Sequence, residues 1–289
     1  MTDKDRAAEI WLDRWQLSDP QAVARTALAQ VWKVRQQGGA PAALKLYHRG
    51  HPGNERDGFA WLAAAGPALS CGVIHADPDK GAALFGWLDG PPLGDLARAG
   101  RDEEAGEILA RLAEASFRHS FPPDFRPIAL PDYAAKLFAL RIGADCAPSL
   151  RADMRRAIRL AETLFRDDQG LRPLHGDLHH DNVILTGAGP RAIDAKGVLG
   201  PRPYERANAF RNPRGMGDAL RDPAIIRARA ARWAAASGVS PAGMLHWAAA
   251  KCALSIAWRS SGLLTRDPEA DLLARFLSLA DAEPAASSF

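Results

Sequence analysis

Apolar positions follow two different patterns along the chain. As far as about residue 90 they form short runs separated by turn residues, and beyond it they recur mostly at helical spacing. In the first regime, residues 22–47 carry β-branched and aromatic side chains on short segments, with a Gly-Gly-Ala-Pro turn between Gln37 and Pro41. That combination predicts a hairpin. A polar loop with Gly50, Pro52 and Gly53 leads into the Ala-rich run Arg56–Ala65, which ends at Gly66-Pro67 and predicts a helix with a stop signal. Two more strand segments, Ser70–Ala76 and Ala82–Leu88, flank the turn-forming stretch Asp77-Pro78-Asp79-Lys80-Gly81. Together they predict a small sheet with one helix against it.

Asp89-Gly90-Pro91-Pro92 breaks this pattern and reads as a linker between two lobes. Helices are then predicted over roughly 94–118, 131–142, 149–167, 217–237, 240–261 and 267–280, with the spacing clear in Ile108, Leu109, Leu112 and Ala115. Residues 171–199 are the exception. Two short apolar runs there, VIL and RAID, flank Thr186-Gly187-Ala188-Gly189-Pro190 and predict a hairpin inside a helical region. The Ala-Ala-Ser-Ser tail at 285–288 is expected to fray.

With 289 residues, 47% of them hydrophobic, the chain has room for two units or one bilobal one. Its 25% charged residues, 25 Gly and 21 Pro exclude disordered and collagen-like classes. No apolar run approaches the roughly 20 residues that cross a bilayer, and the first residues are polar, so neither a membrane span nor a secretory signal is expected. Cys71, Cys146 and Cys252 are widely spaced and include no CxxC pair, which argues against a disulfide framework or a zinc site. A reduced, cytoplasmic protein with its cysteines packed as small hydrophobes is expected. The net charge of +3 comes from scattered Arg, and even the densest cluster (Arg202, Arg206, Arg211, Arg214, Arg221) is interrupted by Pro and Gly. It lacks the basic stripe of a nucleic-acid binder.

Candidate chemistry concentrates in His175-Gly176-Asp177-Leu178-His179-His180-Asp181-Asn182. Asp177 and Asn182 are five apart, and Asp194 returns 17 residues after Asp177, beyond the predicted hairpin. Metal-assisted phosphoryl transfer uses such a set: one carboxylate accepts the hydrogen bond of the attacking hydroxyl, while an amide oxygen and a second carboxylate hold Mg²⁺. Hard oxygen donors favour Mg²⁺ over a soft metal. His175 is expected to brace the loop, Glu205 to order it, and adjacent His179 and His180 to point to opposite faces of a strand.

His175-x-Asp177-x4-Asn182 with Asp194 resembles the catalytic loop and metal-binding aspartate of the protein-kinase-like fold. LHGDLHHDNVIL followed by AIDAKGVLGPRPYERANAF resembles the aminoglycoside 6-phosphotransferase and hydroxyurea phosphotransferase family, streptomycin 6-kinases included. The resemblance implies a bilobal α+β fold: an N-lobe (1–88) of a five-stranded antiparallel sheet with one helix, and a larger, mostly helical C-lobe (89–289) carrying the catalytic loop, metal site and acceptor pocket. It implies MgATP-dependent phosphorylation of a hydroxyl on a small polar molecule, with no nucleic acid, membrane or obligate protein partner. Asp177 would be the catalytic base, and Asn182 and Asp194 the Mg²⁺ ligands. Lys45, in Leu44-Lys45-Leu46, would bind the α/β-phosphates and Glu55 would pair with it, with Asp57 as a rival. Gly86, Trp87 and Leu88 would offer hinge backbone to adenine. The nucleotide-covering loop should lie near Arg25–Gln30, where there is no glycine. Lys196 is left between reaching phosphate and bracing the loop.

A pseudokinase of the same fold is the rival reading, and a protein kinase is disfavoured because no long activation segment follows Asp194. Trp233, Trp247 and Trp258 are expected in the C-terminal helical core, with one tryptophan as an alternative stacking group for the acceptor. Residues 201–289 hold 12 basic and eight acidic side chains. That is the wrong sign for a polycation-selective surface, so highly charged aminoglycosides are expected to be poor substrates.

Overall fold

The structure, a computed structural model, describes residues 3–284; the Ala-Ala-Ser-Ser tail lies outside them. An antiparallel sheet of five strands opens the molecule: β1 (Ser18–Arg25), β2 (Ala29–Arg35), β3 (Pro41–Tyr47), β4 (Val73–Asp77) and β5 (Ala82–Gly86), in the order β1-β2-β3-β5-β4. The predicted Gly-Gly turn joins β2 to β3, with Gly38 and Gly39 at φ 97° and 85°, a region that disfavours other residues. Central strand β3 alternates as a pleat requires. Ala42, Leu44 and Leu46 enter one apolar cluster, while Lys45 and Tyr47 project from the opposite face.

The first cluster is sealed by α1 (Asp3–Arg14), a helix that the hydrophobic pattern did not predict. Ala8 and Trp11 pack with Val34, Leu44 and Leu84, while Ile10 on the same helix is 64% exposed. Its charged residues interrupt the apolar stripe. The opposite face receives the predicted helix, α2 (Arg56–Leu69). The Gly66-Pro67 stop lies inside it: Gly66 (φ 65°) kinks the chain, and one more turn runs to Leu69.

Among the described residues, the C-lobe is built from α3 (Gly94–Arg98), α4 (Asp102–Arg118), α5 (Leu130–Tyr133), α6 (Ala135–Phe138), α7 (Pro148–Leu164), α8 (Arg202–Ala207), α9 (Pro223–Ser237), α10 (Pro241–Arg259) and α11 (Ala270–Ala282). Short strand pairs punctuate it: β6 (Ile128–Ala129), β8 (Arg172–Leu174) and β11 (Val198–Gly200) form one sheet, β7 (Arg141–Ile142) and β12 (Leu263–Leu264) another, and β9 (Val183–Thr186) and β10 (Gly189–Ala192) the predicted hairpin.

Three predicted helices are corrected. The 94–118 segment is two helices divided near Gly100 (φ 81°), and 131–142 is two single turns followed by β7. The third, 217–237, becomes a helix only at Pro223, because the residue before a proline is driven out of the helical region and proline itself suits the first turn. Helix α10 runs through the C-lobe core and buries Trp247, while Trp233 of α9 is fully enclosed and Trp258 only partly so. Cys146 and Cys252 are buried and Cys71 half-buried, all as free thiols. No described helix is long and apolar enough to cross a membrane.

Candidate active site

Lys45 leaves β3 on the face toward the cleft. Its Nζ donates to Glu55 Oε2 at 2.7 Å and to Asp194 Oδ1 at 2.8 Å. Glu55, just ahead of α2, also accepts from the Tyr47 hydroxyl (2.6 Å) and from Lys196 Nζ (2.9 Å). Glu55 and not Asp57 therefore meets Lys45, and Lys196 braces the loop after Asp194. The brace is reinforced in the backbone: a Cβ on Gly58 would overlap the Ala195 carbonyl, and one on Gly197 (φ 67°) would overlap that of Asp57.

The loop His175–Asn182 is held by groups that are satisfied twice over. Glu205 of α8 accepts from the His175 and Gly176 amides, both at 2.8 Å. His175 accepts the Asp177 amide at Nδ1 (3.2 Å) and lies 2.8 Å from the Ile193 carbonyl through Nε2, so the ring is neutral with its proton on Nε2. Asn182 donates Nδ2 to the Asp177 carbonyl at 3.0 Å, which leaves its Oδ1 as a free acceptor. Asn208 donates to Asp177 Oδ1 at 2.6 Å. Asp194 stands at φ 61°, a strained conformation for a non-glycine residue, of a kind found where function fixes the backbone.

His179 and His180 do not lie in a strand, as expected, but at the start of a 3-10 turn, His180–Asn182. His180 is fully buried, while His179 is partly exposed and lines the cleft.

Burial would raise the Asp177 carboxyl, but the ammonium groups of Lys196 and Lys251, each 3.7 Å away, outweigh it and hold Asp177 ionised. Asp194 is likewise kept ionised against burial by Lys45 and Lys196. Burial lowers His175 to about 4 and raises Glu205 to about 7.

Lys45, Glu55, Asp177, Asn182, Asp194 and Lys196 converge on one cavity of about 470 Å³. Beside it lies a mainly apolar slot of about 540 Å³, walled by Val31, Ala43, Ile184 and Ile193 and closed by Gly86, Trp87 and Leu88. The Trp87 indole itself turns to Asp89 (2.6 Å). The glycine-free loop over the slot is the β1–β2 turn, in which Thr26 Oγ1 accepts from the amides of Leu28 (3.2 Å) and Ala29 (3.0 Å). A hydroxyl-capped turn closes sharply with no left-handed residue. On the other side of that turn opens a cavity of about 610 Å³ between the two lobes, lined by residues that include Asp57, Asp132, Tyr133, Lys136 and Trp258.

The pattern of residues missed two groups at Asp177: Asn208 and Lys251. Asn208 lies in the family-like block but carries no motif of its own. Lys251 had a visible signal, a single charge within the apolar run WAAAKCALSIAW.

Comparison with known proteins agrees with this geometry. A sequence model described as aminoglycoside/hydroxyurea antibiotic resistance kinase matches residues 14–262. A streptomycin 3''-kinase of Klebsiella pneumoniae is 32% identical over 261 residues, covering 86% of this chain and 90% of that protein. Among solved structures, the aminoglycoside phosphotransferase APH(4)-Ia superposes with a TM-score of 0.64 at 13% identity, over 96% of this chain and 99% of that one. A choline/ethanolamine kinase family protein from Mesorhizobium loti does so at 0.62 and 14%, over 98% and 100%. These two likenesses speak to the bilobal kinase fold alone. The chain belongs to the aminoglycoside/hydroxyurea antibiotic resistance kinase family, and is an ATP-dependent phosphotransferase acting on small molecules.

Proposed function

We propose that this kinase works in the cytoplasm, where ATP is supplied, and transfers the γ-phosphoryl group of MgATP to a hydroxyl of a small polar acceptor. Residues 1–88 bind the nucleotide and 89–289 carry the catalytic loop and the metal ligands; the acceptor enters the cavity of about 610 Å³ between the lobes, walled by the loop after β3 as well as by α5, α6 and Trp258. Adenine enters the apolar slot against the Gly86-Trp87-Leu88 backbone, and Lys45, held by Glu55, meets the α/β-phosphates. Asn182 and Asp194 suit Mg²⁺: the first has a free amide oxygen and the second a carboxylate oxygen beyond the one bonded to Lys45. When bound, the ion supplies charge neutralisation of the phosphates.

Asp177 accepts the hydrogen bond of the acceptor hydroxyl, orients its oxygen in line with the phosphorus and takes its proton as transfer completes. A carboxylate held so firmly ionised is a weak base. The assignment suits a loose transition state, in which positioning counts for more than early proton removal.

The observation that carries the reading is the convergence of Lys45, Asp177, Asn182 and Asp194 on a single cavity. Turnover is favoured over a pseudokinase because the feature that argued against it, the glycine-free loop, is a well-formed turn capped by Thr26. The test is phosphate transfer from MgATP to a panel of aminoglycosides, amino sugars, amino alcohols and hydroxyurea. Transfer to at least one hydroxyl compound is expected. ATP binding without consumption across the panel identifies a pseudokinase.

A further inference from the structure

Helix α10 passes through the C-lobe core, and its buried side chains are otherwise apolar or Ser255. Lys251 is 1% exposed, with its Nζ 3.2 Å from the Tyr204 hydroxyl, 3.4 Å from the Gly176 carbonyl and 3.7 Å from Asp177 Oδ1. The rings of Tyr133, Tyr204 and Trp258 surround it at 5.8, 5.1 and 5.1 Å. Nucleotide binding and metal holding give it no task. A buried ammonium is expensive unless an anion answers it, and Asp177 is the carboxylate within ion-pair reach.

We infer that Lys251 is a positioning residue for phosphoryl transfer, fixing the Asp177 carboxylate from the acceptor side. The inference rests on Asp177 being the group that orients the acceptor. Asp177 Oδ1 takes the Asn208 amide and faces Lys251, while Oδ2 faces Lys196. The two lysines answer to different parts of the site. Lys196 is tied to Glu55 and so to the phosphate side. Lys251 is caged by Tyr133 and Trp258, both of which line the cavity proposed for the acceptor. The carboxylate is thus clamped between a donor-side cation and an acceptor-side one.

Burial lowers Lys251 to about 8; Asp177 and Glu205 oppose the shift, while Arg211 and Lys196 add to it. Tyr133 and Tyr204, the other ionisable groups packed around the ammonium, are themselves pushed up by burial and stay neutral. Above that pH Lys251 is uncharged and Asp177 loses one of its two clamps.

The test uses the full chain, with water as the acceptor in MgATP hydrolysis. Lys251→Met, which removes the charge but keeps a long side chain, should lower hydrolysis about 10- to 100-fold while MgATP still raises the melting temperature. The wild-type rate should fall as pH rises through about 8, and the variant should be flat there. A second arm needs neither turnover nor that variant: NMR titration of lysine-labelled protein. Lys251 should titrate near 8, and Asp177→Asn should lower that midpoint, because the anion is what holds the proton on. A variant with at least half the wild-type rate, an alkaline decline that survives in Lys251→Met, or a midpoint indifferent to Asp177 each overturns the inference. If hydrolysis is too slow to follow, the lysine titration decides alone. Failure of MgATP to stabilise the wild-type protein instead sinks the kinase reading.

Discussion

The slot proposed for the nucleotide and the cavity proposed for the acceptor lie on either side of the same β1–β2 turn, yet they are made differently. The slot is apolar, walled by sheet residues above and by the β9–β10 hairpin region below, with the fixed charges Lys45 and Asp194 at its inner end. The cavity proposed for the acceptor is assembled from the loop after β3, from α5 and α6, and from Trp258 at the far end of α10. It is rimmed by Asp57 and Asp132 but also by Arg49 and Lys136. A donor common to all kinases needs one shape and a few phosphate contacts. An acceptor is chosen by whatever loops and helix ends happen to surround it, which is where variation is tolerated.

The sharpest way to separate the two sides is Asp177→Asn. Transfer should fall on the order of 10²-fold or more, while MgATP should bind nearly as before, since Asn182 and Asp194, and not this carboxylate, are the proposed metal ligands. Near-normal turnover would undo its assignment. Asn182→Ala and Asp194→Ala should do the reverse and weaken Mg²⁺-dependent nucleotide binding. In thermal-shift titrations, where a ligand specific to the folded state raises the melting temperature, ATP without Mg²⁺ should stabilise the wild type less than MgATP does. Equal stabilisation would remove the metal roles.

The acceptor side is probed by streptomycin. A cavity rim of two acids and two bases offers little attraction to a compound bearing several guanidinium or amino groups. Its specificity constant should therefore stay below about 10⁴ M⁻¹s⁻¹; steady-state kinetics above that value would reverse the expectation.

A smaller effect concerns the loop that carries Asp177 and lines the charged cavity. Burial holds His175 neutral, with its proton affinity lowered to about 4, while in the unfolded chain it titrates near its ordinary value of about 6.5. Between these values the unfolded state binds the extra proton. Stability from this residue is therefore complete above about pH 6.5 and is lost as pH falls toward 4, by about 2 kcal/mol at pH 5. Urea midpoints at pH 5 and 7.5 should differ less in His175→Gln than in the wild type, and equal differences would exclude the residue as the source.

Much of the donor side was legible because it rests on local sequence: a Gly-Gly hairpin, a lysine on an alternating strand, and Asp177, Asn182 and Asp194 within one loop and hairpin. The rest was hidden for physical reasons. Helix α1 covers the sheet with few apolar positions set among charges, so its periodicity is weak. Pro223 and Gly100 divide helices whose apolar spacing runs on across the break. Lys251 reaches Asp177 from 74 positions away along the chain, through tertiary packing that no short window contains. The lone charge in its apolar helix marked it as unusual without saying what it would meet.

In protein kinases, control is exerted by letting the helix that bears the pairing glutamate move, so that the strand lysine and the metal aspartate fall out of alignment. Here α2 meets the segment after Asp194 at two glycines whose absent side chains leave no gap, and Lys196 rivets Glu55 to the same segment. Swinging α2 away would break backbone contact and expose two ammonium groups and a carboxylate at once. The joint thus ties the alignment of lysine, glutamate and aspartate to the packing of the fold itself.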